Sequence, residues 1–454
     1  MTVAPGMLRL MLSLLIVFPV ALAQAATSEV VLVRDAERYR LLVGGEAFEI
    51  RGAGLEGRDA AAIDALARQL ARAGGNVFRT WGTEEIDAEI AAAERHGLRV
   101  LVGLDVAQQL SGFDYDDAEA VRRQHEDAVR IIDRYGAHPQ VLGWVVGNEP
   151  NLVVAEDGRL LAANPRVYDA IDELVRYIQA QPPARLTTVA FAFTPSLDQD
   201  VRTALARIPT LDVVSFQGYG ALPAIPDVVE RLELDRPFMV TEYGALGHWE
   251  MPATAWGREI EEPSGVKAAG VVARMQGSIL DDRTGRLLGG FAFLWGQKQE
   301  RTPTWYGLFA NDGERTTMVD ELQKAWTGEW PSNRAPAAQR IDLDGRVATD
   351  SIVLGENTEV VARVSVLDPE SDPLTTRWEL RAEVVERSDG GHAEKAAAIV
   401  PLVEPVLSVS DDGAQLRFRT PATEGEFRLF AWSSDDQGGV ATANIPFRIE
   451  RARK

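Results

Sequence analysis

An alternation of apolar segments with amphipathic helical patterns, from about residue 47 to residue 328, constrains the fold more than any other feature. Apolar residues between the segments recur at three- and four-residue spacing, as Ile63, Leu66 and Leu70 do, which is typical of helices packing one face on a sheet. The segments themselves read as strands buried on both faces, as parallel strands are. They are 48–54, 76–81, 99–105, 141–147, 185–193, 211–219, 237–243 and 288–295.

Eight strand–helix repeats of this kind predict an α/β fold, a (β/α)8 TIM barrel. An open, doubly wound sheet is the competing fold. It would show fewer strands and a glycine-rich turn after the first one, and no GxGxxG pattern follows residues 48–54. We also expect Asp59 to cap the first helix and Gly74 with Gly75 to end it.

The pattern changes near residues 330–336, where short alternating stretches separated by Asp, Gly, Pro and Ser begin. Such stretches are typical of an all-β sandwich. We predict a signal peptide at 1–25, the barrel at 30–330, a linker at 331–338 and a small immunoglobulin-like sandwich at 339–454. Trp378 and Trp432 can serve either as core residues or as a binding platform, and we expect the sandwich to act as a spacer.

Charge and the first residues restrict the compartment and the partners. A formal net charge of −21 disfavours nucleic acid and anionic membranes as partners. Arg9 followed by the apolar run 10–20 and small residues at 21–25 predicts an exported protein, periplasmic or extracellular, with no integral membrane span after signal cleavage. Retention of the segment as an anchor is the alternative. With no cysteine in the chain, neither disulfides nor thiolate chemistry can contribute.

Two carboxylates stand where apolar strands end, Glu149 after the fourth strand and Glu242 on the seventh. Strand ends of a barrel meet at one rim, so the two carboxyl groups are expected to face each other, as acid-assisted cleavage of a glycosidic bond requires. Arg79 and Tyr219 are the natural partners of an ionised Glu242, and the Asn148 amide can bind a sugar hydroxyl. We therefore predict Glu149 and Glu242 as catalytic residues.

Aromatic residues near strand ends suggest sugar-binding subsites, because aromatic faces stack on the apolar faces of sugar rings. We expect Trp295, Trp305 and Trp81 to contact substrate, and Trp144, within a strand, to lie in the core. The five histidines are scattered and form no metal-binding pattern. The sequence therefore predicts no metal site and no cofactor.

The segments VLGWVVGNE at 141–149 and PFMVTEYGA at 237–245 resemble the two catalytic strands of retaining β-glycosidases on (β/α)8 barrels, the group known as clan A. Residues 212–219 and 290–295 resemble the sixth and eighth strands of the family 2 catalytic barrel. The Pro-Asn pair at 150–151 and TWYGL at 304–308 are also similar to β-1,3-glucanosyltransferases and β-1,3-glucanases. The resemblance implies that Glu149 is the acid/base and Glu242 the nucleophile, with Arg79, Asn148, Tyr219 and Trp295 in supporting positions.

These observations predict a retaining glycoside hydrolase or transglycosylase that acts on an oligo- or polysaccharide, a β-linked glucan or a related polymer. A non-catalytic carbohydrate-binding or envelope scaffold protein on a barrel fold is the alternative. Sugar, linkage, exo or endo action, the choice between hydrolysis and transfer, and oligomeric state stay open.

Overall fold

The fold begins with a small antiparallel sheet that is not part of the barrel. A computed structural model describes residues 29–36, 38–155, 157–310, 313–388, 394–402 and 406–451, so the predicted signal peptide lies outside the described residues. The first sheet contains β1 (Val30–Asp35), β2 (Arg38–Val43) and β3 (Glu46–Ala47). Its Leu41 and Val43 pack in one apolar cluster with Ile50 and Leu288, near the start of the barrel strands. This sheet, which the sequence reading did not separate from the barrel, closes the end of the barrel where the strands begin.

Eight parallel strands close into a barrel, as predicted. In chain order the strands of this region are β4 (Ile50–Glu56), β5 (Val77–Arg79), β6 (Arg99–Gly103), β7 (Val141–Asn148), the small hairpin β8 (Val153–Val154) and β9 (Leu160–Leu161), then β10 (Leu186–Ala192), β11 (Val213–Gln217), β12 (Phe238–Gly244) and β13 (Leu287–Gly296). Apart from the hairpin, each strand pairs with its neighbour in sequence, and β13 pairs with β4 to close the ring. The second barrel strand is shorter than predicted, because the Thr80 hydroxyl donates to the carbonyl of Gly82 and the chain turns there.

A helix follows every barrel strand. The helices are α1 (Ala60–Arg72), α2 (Ile86–His96), α3 (Ala118–Tyr135), α4 (Arg166–Gln179), α5 (Leu197–Arg207), α6 (Ile225–Arg231), α7 (Ser264–Met275) and α8 (Thr317–Thr327), with short helical turns at Gln109–Ser111, Leu222–Ala224, His248–Glu250, Gln276–Leu280 and Ala348–Asp350. As expected, the Asp59 side chain accepts hydrogen bonds from the amides of Ala61 and Ala62 at the start of α1. Ile63, Ala67 and Leu70 then bury one face of α1, at the spacing read from the sequence.

The C-terminal part is an all-β sandwich, which confirms the second half of the predicted fold class. Its strands are β14 (Ala337–Leu343), β15 (Val353–Gly355), β16 (Glu359–Leu367), β17 (Thr375–Ala382), β18 (Ile399–Val400), β19 (Val406–Val409), β20 (Gln415–Arg419), β21 (Gly425–Ser434) and β22 (Val440–Glu450). They form one sheet in the order β14-β16-β20-β19 and another in the order β15-β22-β21-β17-β18. Trp432 is buried and stacks on Phe430, and Trp378 packs against the sandwich core, so neither ring forms an open platform.

A buried polar network joins the sandwich to the loop after β12. The Arg428 guanidinium donates to the Glu383 carboxylate at 2.9 Å, to the Asn444 side-chain oxygen at 2.8 Å and to the Glu259 carbonyl oxygen at 2.9 Å. The Asn444 amide in turn donates to the Glu261 carboxylate. Because polar groups removed from water must find partners inside the protein, the barrel loop and the sandwich depend on each other.

We expect Arg428→Ala to lower the free energy of unfolding by about 3–5 kcal/mol, since it leaves the buried Glu383 carboxylate without its cation. Arg417→Ala is the matched control. Arg417 pairs with Glu359 on the exposed face of the same sandwich, and loss of that pair should cost at most about 1 kcal/mol. Urea denaturation of the full chain measures both. Equal, small effects of the two variants would show that the network contributes nothing to stability.

Candidate active site

A cleft of about 1180 Å³ opens at the end of the barrel where the strands finish. Parallel strands bring their C-terminal ends to one rim, so side chains from distant parts of the chain meet there. The side chains that line the cleft include Trp81, Asn148, Glu149, Gln217, Tyr219 and Glu242. Both predicted catalytic glutamates therefore line one cleft, and Arg79 lies directly beneath it.

Four donors converge on the Glu242 carboxylate. Its Oε1 accepts from the Arg79 guanidinium at 3.2 Å, the Trp81 indole at 2.7 Å and the Gln217 amide at 2.8 Å. Its Oε2 accepts from the Tyr219 hydroxyl at 2.7 Å. Burial, and then the neighbouring Glu242 charge, raise the pKa of Tyr219 well above its usual value, so the phenol keeps its proton. An ionised carboxylate has the acceptor sites for all four bonds.

The Asn148 side chain belongs to the same network. Its oxygen accepts from the Arg79 guanidinium at 3.0 Å and from the Gln217 amide at 2.7 Å. With the oxygen occupied by these two donors, the Asn148 amino group is the part that can donate to a ligand in the cleft. The orientation of this amide is thus fixed from below, which suits the predicted role in binding a sugar hydroxyl.

Glu149 differs from Glu242 in its surroundings. It has a φ of 50°, a left-handed conformation that is uncommon outside glycine, and its backbone N–H donates to the Ala190 carbonyl at 2.8 Å. Burial, and then the negative charge of Glu242, raise the pKa of Glu149 to about 8, with Arg79 acting in the opposite direction. Glu149 therefore favours its protonated form at neutral pH, beside a second carboxyl that accepts four hydrogen bonds, an arrangement suited to acid catalysis combined with nucleophilic attack.

Gly54 on β4 makes room for the Trp81 indole. A Cβ atom at position 54 would lie 2.3 Å from the Trp81 ring. The ring also meets Phe293 edge-on, with centroids 5.5 Å apart. Trp81 is thus held in the cleft wall, where its N–H reaches Glu242.

The structure corrects the expectation for two tryptophans, because Trp295 and Trp305 do not line the cleft. Trp295 has no exposed surface, donates to the Leu66 carbonyl at 3.0 Å and packs against Phe309. Trp305 is also buried and donates to the Leu246 carbonyl at 2.9 Å. Both rings pack the protein interior, whereas Trp81 lines the cleft, and its contact with substrate stays a prediction. Trp144 lies in the core as predicted.

Several cleft residues were missed by sequence reasoning. Tyr306, the immediate neighbour of Trp305, lines the cleft. The segment runs beside β13. The backbone N–H of Leu294 donates to the Tyr306 carbonyl, and the N–H of Leu308 donates to the Leu294 carbonyl. Adjacent side chains of an extended segment point to opposite sides, so a placement error of one residue exchanges the ring that packs in the interior for the one that lines the cleft. Other side chains of the lining that were not predicted include Phe293, Lys298 and Glu300.

The sandwich contributes to the cleft wall. Glu394, from the C-terminal part, lines the cleft and accepts from the backbone N–H of Arg301 at 2.6 Å and from its guanidinium at 2.5 Å. Arg301 lies in the loop that follows β13, and its guanidinium also donates to the Ser388 carbonyl. The sandwich therefore fixes a loop of the candidate site, a role beyond that of the expected spacer.

The described part of the chain contains neither a metal-binding cluster nor a helix that could cross a membrane. Within it, no cluster of His, Asp or Glu side chains is arranged to hold a metal ion. None of the helices described there combines the length and the apolar character needed to cross a membrane.

No family model and no curated protein matches this chain. Among solved structures, a beta-glucuronidase from Ruminococcus gnavus is similar with a TM-score of 0.51 and 15% identity, over 66% of this chain and 53% of that one. A beta-glucuronidase from Bacteroides uniformis has a TM-score of 0.49 and 16% identity. The match covers 93% of this chain and 48% of that one. A GH2 beta-galacturonidase from Eisenbergiella tayi, bound to galacturonate, has a TM-score of 0.48 and 15% identity. The match covers 66% of this chain and 54% of that one.

This chain spans about half the length of those structures. At such identities the likeness concerns the fold. It agrees with the barrel described above and gives no support to the resemblance to glucanosyltransferases.

The raised pKa of Glu149 predicts how stability varies with pH. Between about pH 4.5 and 8 the folded protein holds a proton on Glu149 that the unfolded chain has lost, so this group lowers stability progressively as the pH rises through that window. Glu149→Gln removes the effect. The melting temperature of the variant minus that of the unchanged protein should therefore increase from about pH 4.5 to pH 8.

Scanning calorimetry across this range measures the difference, in which the titrating groups that do not interact with Glu149 cancel. The exposed Glu126 on α3 provides the control, and Glu126→Gln should show a difference that is flat with pH. A flat difference for Glu149→Gln would contradict the assigned direction of the shift.

Proposed function

We propose that this chain is a retaining β-glycosidase or transglycosylase acting on a β-linked glucan or a related polysaccharide outside the cytoplasm. One observation carries the proposal: a single cleft presents a carboxylate with four donors, Glu242, and a second carboxyl, Glu149, whose pKa is raised to about 8. The glycosidase names of the similar structures agree with this chemistry. Retention of anomeric configuration follows from the resemblance of the two catalytic strands.

In the first step Glu149 donates its proton to the glycosidic oxygen while Glu242 attacks the anomeric carbon. The carbon–oxygen bond to the leaving sugar breaks, and an ester bond to Glu242 forms. Arg79 and Tyr219 hold the Glu242 carboxylate in place. The Asn148 amino group can bond a substrate hydroxyl and strengthen that bond as charge develops on the ring.

In the second step Glu149 takes a proton from water or from a sugar hydroxyl, which attacks the anomeric carbon and releases Glu242. The change of role has a physical cause in this site. The negative charge of Glu242 is, after burial, the largest cause that raises the pKa of Glu149, and ester formation removes that charge. The pKa of Glu149 should therefore fall in the intermediate, which favours its action as a base.

We expect Glu242→Gln to abolish product formation and Glu149→Gln to lower kcat about 10²–10⁴-fold. The full chain is incubated with β-1,3-, β-1,4- and β-1,6-linked oligosaccharides and with β-glucuronides, which the names of the similar structures suggest. Mass spectrometry identifies the products, and NMR follows the first anomer released. Glu173→Gln, at an exposed position of α4, should keep full activity.

A first-formed β anomer supports retention, and products longer than the substrate identify a transferase. Full activity of Glu242→Gln would overturn the assignment. Binding of an oligosaccharide without turnover by the unchanged protein would favour the alternative of a carbohydrate-binding or scaffold protein.

A further inference from the structure

The cleft is strongly acidic. Ten of its lining residues are Asp or Glu, whereas three, Arg58, His248 and Lys298, can carry positive charge. Acid–base catalysis uses Glu149 and Glu242, and Glu300 and Glu394 pair with Lys298 and Arg301. The acidic residues near the ends of β5 and β6 are not accounted for by these roles. A low-dielectric cleft with charges of one sign concentrates its field and attracts ligands of opposite charge.

The positive side chains of the cleft do not offset this charge for a ligand. The Lys298 ammonium lies 3.1 Å from one oxygen of the Glu300 carboxylate, and the His248 ring lies 3.6 Å from the other. Arg58 donates to the Gln297 side chain at 3.1 Å. An anionic sugar such as a uronate would therefore meet cations that already have partners.

A group of carboxyls bounds the cleft near the ends of β5 and β6. Glu84 and Glu85 precede α2, Glu89 lies in its first turns, and Asp105 follows β6. Asp105 is held there by the Thr83 hydroxyl, which donates to it. The charges of Glu85 and Asp105 both act on Glu89, so the three carboxyls share one site.

Glu89 is the unusual member of this group. Its exposure is 8%, and its Oε2 has no hydrogen-bond partner among the described residues. Burial, followed by the charges of Glu85 and Asp105, raises the pKa of Glu89 to about 8. A buried carboxyl with an unpaired oxygen is costly unless a ligand supplies the missing partner.

We propose that Glu84, Glu85, Glu89 and Asp105 form a subsite for the free, positively charged amino group of a hexosamine, so that the polysaccharide contains β-linked glucosamine units. An ammonium group offers three donors and one positive charge, which match acceptor-only carboxylates. A metal ion is the weaker candidate, because the described residues include no cluster suited to one. The inference specifies the substrate of the proposed glycosidase, but its binding step does not depend on turnover.

The test is calorimetric titration of the full chain carrying Glu149→Gln, which slows any turnover about 10²–10⁴-fold. The probes are β-1,4- and β-1,6-linked glucosamine tetrasaccharides, their N-acetylated forms and a glucuronic acid oligosaccharide. We expect the free amine to bind at least about tenfold more tightly than the N-acetylated form, because a charge-assisted bond is lost on acetylation. The affinity should fall as salt is raised.

Two buffers with different ionisation enthalpies give a second readout. An ammonium group beside Glu89 favours its ionised form, so at pH 7 the chain with Glu89 should release more protons on binding, or take up fewer, than the same chain with Glu89→Gln, in which only the amine of the probe titrates. Glu89→Gln should also abolish the preference for the amine. Glu94→Gln, an exposed carboxyl on the same helix and outside the cleft lining, should change neither.

Equal or tighter binding of the N-acetylated or glucuronic acid probe would overturn the proposal, as would no binding of the amine by a folded protein. An amine preference that survives Glu89→Gln would overturn the assigned subsite. Selective amine binding with no cleavage by the unchanged protein would instead count against the glycosidase and leave the subsite standing.

Discussion

A guanidinium without exposed surface lies beneath the mouth of the barrel, and the site is organised around it. Transferring the Arg79 charge out of water is costly unless it is paired and hydrogen-bonded. Its partners are Glu242 on β12 and Asn148 on β7. The interaction that neutralises a buried cation thus also positions the carboxylate and the amide that the chemistry uses, so folding stability and catalytic geometry depend on the same bonds.

The unequal surroundings of the two predicted catalytic glutamates follow from this arrangement. The Glu242 carboxylate accepts the hydrogen bonds of the site. Burial and the neighbouring charge of Glu242 raise the pKa of Glu149. Neither property belongs to a glutamate by itself. Both arise because barrel closure brings the ends of β7 and β12 to one rim, although Glu149 and Glu242 are far apart in the chain.

The barrel and the placement of the two carboxylates could be predicted because both follow from local patterns, namely apolar runs at strand spacing and polar residues where those runs end. Arg79, Asn148, Glu149, Tyr219 and Glu242 meet at one rim as that reasoning anticipated. The choice between Trp305 and Tyr306 could not be predicted, since it depends on the side to which one residue of an extended segment points. Pairing between β13 and β4 shifts register before Trp295, which defeats a simple alternation.

The contacts of the sandwich were beyond sequence reasoning for a different reason. Arg428 and Glu259, or Arg301 and Glu394, are separated by long stretches of chain, and no local spacing announces their meeting. The acidity of the cleft lies between these cases. The sequence shows a high content of Asp and Glu, but only the fold shows which of these residues line the same cleft.

Gly54 has a consequence for how such a site is encoded. It bears no chemical group, yet the space above its Cα is what allows the Trp81 indole to reach Glu242. Part of the environment of the Glu242 carboxylate is thus specified by a missing methyl group on another strand. A search for catalytic residue types would pass over this position, and transplanting only the reactive side chains onto another barrel would lose it.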